Sequence, residues 1–82
     1  MREIKSIDDV RSGDLVVIRG GGSFIRIGDI LLNDLETWVL CSEYKTVEGI
    51  LTIPNQPEEF LGVYDIVEVW KAKRNECYLS FD

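Results

Sequence analysis

The sequence predicts an all-β domain curled into a small, partly open antiparallel barrel of five to six strands. Two observations carry this. Short runs rich in β-branched and aromatic residues recur along the chain, broken by glycine, asparagine and proline, and almost nothing between them reads as helix. At 82 residues the chain is also too short to hide a flat sheet, which would expose a face and two edges, so the strands must curl on themselves.

The elements follow in order. Ser6 stands three residues before Asp9 and Gly13 follows, which predicts a single helical turn as a lead-in. Leu15-Val16-Val17-Ile18-Arg19, the turn Gly20-Gly21-Gly22 and Ser23-Phe24-Ile25-Arg26-Ile27 read as a hairpin. Gly28-Asp29 punctuates before a short Ile30-Leu31-Leu32 strand, Asn33-Asp34 turns the chain, and residues 36–42 form the next strand. Residues 43–49 are polar and read as a loop, and Ile50-Leu51-Thr52-Ile53 is a strand that stops at Pro54. Residues 54–59 read as a loop, with residues 58–61 able to start one helical turn instead. Residues 63–70 are the clearest strand, residues 71–76 are charged turn material, and Cys77-Tyr78-Leu79-Ser80-Phe81 closes the chain. The architecture expected is SH3-like, with an OB-like barrel or a β-roll as alternatives, in one domain spanning residues 1–82.

Composition excludes several classes of function. With 45% apolar and 29% charged residues the chain is neither disordered nor membranous. The start of the sequence lacks the apolar stretch of a signal peptide, so a cytoplasmic protein with no membrane role is expected. There is no His, no GxSxG, no P-loop and no CxxC, which removes the usual metal, acyl-transfer and phosphoryl-transfer machinery. Asp and Glu remain as acids, but paired-carboxylate chemistry needs a sugar-sized cleft that a barrel this small rarely forms. No enzyme, no cofactor and no metal is the expectation, with Cys41 and Cys77 as reduced thiols rather than a disulfide. The glycine triplet could cradle a phosphate, yet a strand follows it where a helix would be needed, so it reads as a hairpin turn.

Two sets of residues could bind a partner. Fifteen acidic against nine basic residues give a formal charge of −6, which favours a basic protein surface and disfavours nucleic acid. Strict alternation over residues 63–70 puts Tyr64, Ile66, Glu68 and Trp70 on one face and Val63, Asp65, Val67 and Val69 on the other. Burying the valines leaves Tyr64 and Trp70 partly exposed as anchors, with Asp34, Glu36, Glu58 and Glu59 as a charged rim. Asp29 and Asp65 belong to the same set of acidic loops, which could imitate a row of phosphates. The alternative is a nucleic-acid-binding barrel using Arg19, Arg26, Lys71, Lys73 and Arg74, and a third reading is a sponge for a nucleotide signal.

Val10-Arg11-Ser12-Gly13-Asp14-Leu15-Val16-Val17-Ile18 resembles the opening of KOW-like small barrels, in which a Gly-Asp pair turns the chain into the first strand. The likeness extends through the hairpin to Gly28, but glycines and Ser23 stand where the KOW loop carries basic residues. The Gly-Asp-x-Val opening, Phe24-Ile25, Trp38-Val39-Leu40 and the late Asp65-Ile66-Val67-Glu68-Val69 strand together resemble a group of short bacteriophage-encoded proteins, over roughly residues 7 to 71. That resemblance implies an accessory protein made in infected bacteria. Small acidic proteins of that kind are often inhibitors of host defence, including CRISPR effectors. The implied partner is a host protein with a basic surface, bound without catalysis.

Overall fold

The computed structural model describes residues 3–71 and 77–80. Eight strands follow in order: β1 (Leu15–Ile18), β2 (Ser23–Ile27), β3 (Ile30–Leu32), β4 (Trp38–Leu40), β5 (Lys45–Val47), β6 (Ile50–Thr52), β7 (Ile66–Trp70) and β8 (Cys77–Ser80). Single 3-10 turns lie at Ile7–Asp9, Cys41–Glu43 and Glu58–Phe60, and the described residues contain no α-helix. Every pairing is antiparallel, in one sheet of order β4-β3-β2-β1-β7-β6-β5, with β8 also pairing β7. The sheet curls into a half-barrel. β7 is its branch point, because Ile66 pairs with Leu51 of β6 while Glu68 and Val69 pair with Ser80 and Leu79 of β8.

The small-barrel class is as the sequence predicts, and the strand count is higher. The strand expected over residues 36–42 is only Trp38–Leu40 and then breaks into the Cys41–Glu43 turn. The expected loop over residues 43–49 contains β5, which pairs with β6 through a two-residue turn whose Glu48 and Gly49 both have positive φ, 51° and 84°. Two successive left-handed residues match the right-handed twist of a tight hairpin. All three β5 side chains are exposed, so the strand has no apolar face for a sequence pattern to reveal.

The inner face carries the core. Val16, Leu31, Ile66 and Val69 are completely buried, joined by Phe24, Ile18 and Leu51, with Val10, Cys41, Tyr44 and Ile53 packed around them. Removing such side chains from water stabilises the fold by about 1.5–3 kcal/mol each. The strand expected over residues 63–70 begins only at Ile66, residues 63 and 64 being turn, and within it the alternation fails at one point. Val17 faces Glu68 but Ile18 faces Ile66, so β7 carries one extra residue as a bulge. The bulge lets Ile66 and Val69 both enter the core, and Ile66 leaves the face it would share with Tyr64 and Trp70 under strict alternation.

Two local devices hold the half-barrel in shape. The glycine triplet folds the β1–β2 turn against residues 63–65, with the Arg19 N–H donating to the Asp65 carbonyl at 2.8 Å and the Gly20 N–H to the Val63 carbonyl at 2.9 Å. A Cβ at Gly20 would stand 2.5 Å from Val63 Cγ1, so only glycine allows this approach. The Gly21 N–H donates to the Ile18 carbonyl, so the amides of Gly20 and Gly21 are both spent within the fold rather than in an anion cradle. At the other end the Arg26 guanidinium donates to the carbonyls of Ile7, Val10 and Gly28 at 2.6, 2.7 and 2.8 Å, tying the lead-in to the β2–β3 turn. The lead-in turn is closed by the Asp9 carboxylate, which accepts the N–H groups of Lys5 and Ser6. Buried Asp14 accepts the Arg11 N–H at 2.8 Å, fixing the Gly-Asp turn into β1.

Candidate interaction surface

The strand registers line up one outer row across five strands. Trp38 of β4 faces Leu32 of β3, which faces Ile25 of β2, which faces Leu15 of β1, which faces Trp70 of β7. Directly opposed residues share a face, and at strand spacings of about 4.8 Å the row is about 19 Å long. A parallel row of Leu40, Ile30 and Ile27 lies beside it on β4, β3 and β2. Trp38 is 57% exposed, Ile27 53% and Leu35, in the β3–β4 turn, 79%. Between these rows and that turn runs a groove of about 590 Å³ lined by Leu15, Ile25, Ile27, Leu32, Asp34 and Leu35. On the other side the surface turns polar, since the next row is Ser23, Val17, Glu68 and Ser80.

Charge at the β3–β4 end of this face has one sign. Residues 27–44 contain Asp29, Asp34, Glu36 and Glu43 and no Lys or Arg. All four carboxylates are on exposed residues. Asn33 shapes the turn that presents Asp34 to Glu36, its side-chain oxygen accepting the N–H groups of Leu35 and Thr37.

The structure brings only part of the sequence-derived set together. Asp34 and Glu36 edge the apolar rows, and Trp70 ends the longer one, its indole N–H donating to Glu68 Oε1 at 2.6 Å. Tyr64 lies off the outer rows but lines, with Trp38 and Leu40, a groove along β4; it sits in the turn before β7, packs against the core, and its carbonyl accepts the Tyr44 hydroxyl at 2.7 Å. Glu58 and Glu59 are exposed on a separate 3-10 turn. Asp65 is engaged within the fold, taking the Thr52 hydroxyl on one oxygen and Arg19 at 3.4 Å on the other. Among the basic residues Arg26 is a clamp on three carbonyls, Arg19 pairs with Asp65, Lys71 is exposed just after β7, and Lys73 and Arg74 lie outside the described residues. Sequence reasoning missed Leu15, Ile25, Ile27, Leu32, Leu35 and Trp38 as a surface. Their signal is the isoleucine alternation in Ser23–Ile27, obscured because Arg26 shares the inner side with Phe24.

Among the described residues no group of three or more His, Cys, Asp or Glu could hold a metal ion, and no helix is long and apolar enough to cross a membrane. Both cysteines are free. Burial pushes the Cys41 thiol up from its ordinary 9.0, with Asp29 and Asp8 adding to the rise and Arg26 opposing it. Burial pushes the Tyr44 hydroxyl up more strongly from 10.0, with Cys41, Asp65 and Tyr64 adding to it. The fold therefore holds protons that the unfolded chain releases at high pH. The stability these two groups contribute is full well below the ordinary thiol value and falls as pH rises past the ordinary thiol and phenol values. A melting series from about pH 7 to about pH 11 should show that fall, and Tyr44→Phe should make it shallower while costing about 1 kcal/mol at neutral pH through the lost bond to the Tyr64 carbonyl.

No family model matches this chain, and searches of curated proteins and of solved structures find no match either.

Proposed function

We propose that this chain is a non-enzymatic binding protein that lays its outer apolar rows on a protein partner whose contact surface is apolar with a basic rim. The observation that carries the reading is the Trp38-Leu32-Ile25-Leu15-Trp70 row, a contiguous apolar surface left on the outside of the sheet. Contiguous exposed apolar surface of this kind marks interaction sites, and large aromatic anchors dominate their energetics. The carboxylates at Asp29, Asp34, Glu36 and Glu43 supply a rim that steers a basic partner and repels nucleic acid. The resemblance to bacteriophage proteins makes the partner a host protein and the outcome inhibition, with bacterial defence effectors as the class to search first. A nucleic-acid role is disfavoured by the formal charge of −6 and because Arg26, one of the five basic residues that reading uses, is engaged within the fold.

The test is capture from a bacterial lysate with proteins and nucleotides both analysed. Ile25→Thr with Ile27→Thr keeps two β-branched residues in β2 but removes apolar area from the middle of the face, and should cut specific capture about tenfold or more. Capture unchanged by that pair, or a nucleic acid as the main species retained, overturns the proposal.

A further inference from the structure

β4 is an unguarded sheet edge. The Asn33 N–H donates to the Thr37 carbonyl at 3.1 Å and the Cys41 N–H to the Asp29 carbonyl at 2.8 Å. These bonds fix the narrow pairs of the β3–β4 ladder, and antiparallel alternation places Leu31 and Val39 in the narrow pair between them. The N–H and C=O groups of Val39 are thereby turned toward β3. Both groups of Trp38 and the N–H of Leu40 are turned away from the sheet, on the side where the strand order ends, while the Leu40 carbonyl serves as N-cap of the Cys41–Glu43 turn.

Sheet edges are normally blunted by charge, proline, bulges or a covering segment. β5, at the other end of the strand order, has such devices: Lys45 lies in it, and the Thr46 hydroxyl donates to the Lys5 carbonyl of the lead-in. β4 has no charge, no proline and no register shift. A groove of about 320 Å³ runs along it, lined by Trp38, Leu40, Glu43, Ile53, Gln56 and Tyr64. The half-barrel is thus open on the side where one more strand would fit.

We infer that β4 accepts an extended segment of the protein partner as an added strand, and that this segment alternates apolar with basic residues. The inference deepens the binding reading above and rests on it for the existence of a protein partner. Strand addition gives affinity through backbone hydrogen bonds and specificity through alternate side chains. Here the apolar side chains of the added strand extend the outer rows beyond Trp38 and Leu40. The basic ones fall on the opposite, Val39 side of the strand, where Glu43 lines the groove along β4. A second copy of this chain is the occupant that charge rejects. Antiparallel pairing of two β4 strands about Val39 sets Glu36 of one copy next to Glu43 of the other, twice, between chains of −6 each.

The probe is an acetylated, amidated nonapeptide alternating lysine and valine, followed by amide exchange resolved by residue. The Trp38 and Leu40 amides should exchange at least tenfold more slowly with the peptide at saturation, while the Val39 amide, already bonded to β3, changes little. The same peptide with glutamate for lysine, or N-methylated at alternate residues, should give no protection. Leu40 has φ −74°, a value proline adopts, so Leu40→Pro removes one outward N–H without breaking the bonds between Leu31 and Val39. It should bind the lysine peptide at least tenfold more weakly than Leu40→Ala, which loses the side chain but keeps the N–H. Absence of protection, equal protection by the glutamate peptide, or equal binding by the two Leu40 variants overturns strand addition. Should Leu40→Pro fail to fold, the N-methylated peptide still decides the matter. Protection at β4 together with lysate capture indifferent to Ile25→Thr and Ile27→Thr would reject the docking face and leave the strand site standing.

Discussion

Arg26→Ala should lower the stability of the domain by about 3 kcal/mol and loosen everything before β1. The guanidinium is half-buried and supplies three hydrogen bonds to the carbonyls of Ile7, Val10 and Gly28. Hydrogen bonds from a charged donor contribute about 1.5–3 kcal/mol each; the bond to Gly28 is exposed and adds little, so the two part-buried ones, at the lower end of that range, set the figure. Against a total of about 4–12 kcal/mol for a chain of this size, that is a large share. Arg26→Lys should not restore the loss, because one ammonium cannot span three carbonyls that a planar fork reaches from two nitrogens. The contrasting variant is Arg19→Ala. Its pair with Asp65 is 3.4 Å long and the Arg19 side chain is 49% exposed, so its removal should cost less than about 1 kcal/mol. Chemical denaturation of the three variants, with exchange of the Val10 amide as the local readout, separates a structural clamp from a surface cation. Equal, small losses for Arg19→Ala and Arg26→Ala would return Arg26 to the surface and reopen the nucleic-acid reading.

Arg26 also shows where sequence reasoning stops. A hairpin such as β1–β2 is legible because its signals are local: β-branched runs on both sides of three glycines leave one economical reading. The carbonyls that capture Arg26 lie 19 and 16 positions away, and every residue offers a carbonyl, so nothing in the sequence marks Ile7 or Val10 as the acceptors. The β7 bulge is hidden for a similar reason. Asp65-Ile66-Val67-Glu68-Val69 reads as strict alternation, and only the pairing of Ile18 with Ile66 shows that one residue is skipped. β5 escaped because its three residues are all exposed, which removes the apolar period that would announce a strand. The outer row is the hardest feature to foresee. It exists only once four registers are fixed together, since a one-residue slip in any of them would send half of it into the core.

Trp38→Ala should leave folding nearly untouched and weaken partner binding about thirtyfold, whereas Trp70→Ala should damage both. The two tryptophans end the same row but differ in support. Trp38 is 57% exposed on an edge strand, and truncating an exposed side chain away from the core changes stability by about 0.5 kcal/mol or less. Trp70 is half-buried between β1 and β8 and its indole N–H is bonded to Glu68, so truncation removes packing as well as surface and should cost about 2–3 kcal/mol of stability. A buried aromatic anchor in an interface is worth about 2 kcal/mol or more, which is the thirtyfold expected of Trp38. Asp34→Lys with Glu36→Lys should slow association and flatten its dependence on salt, because rim charges act on encounter more than on residence. Glu58→Lys with Glu59→Lys, on a turn that the apolar rows do not include, should do so less. Denaturation curves give the stability limb, and surface-immobilised partner taken from the lysate capture gives the rate limb. If Trp38→Ala destabilises the domain as much as Trp70→Ala does, the row is a second small core and not a docking face. If both variants fold and bind as the parent does, the contact lies elsewhere on the half-barrel and the acidic hairpin only keeps the protein in solution.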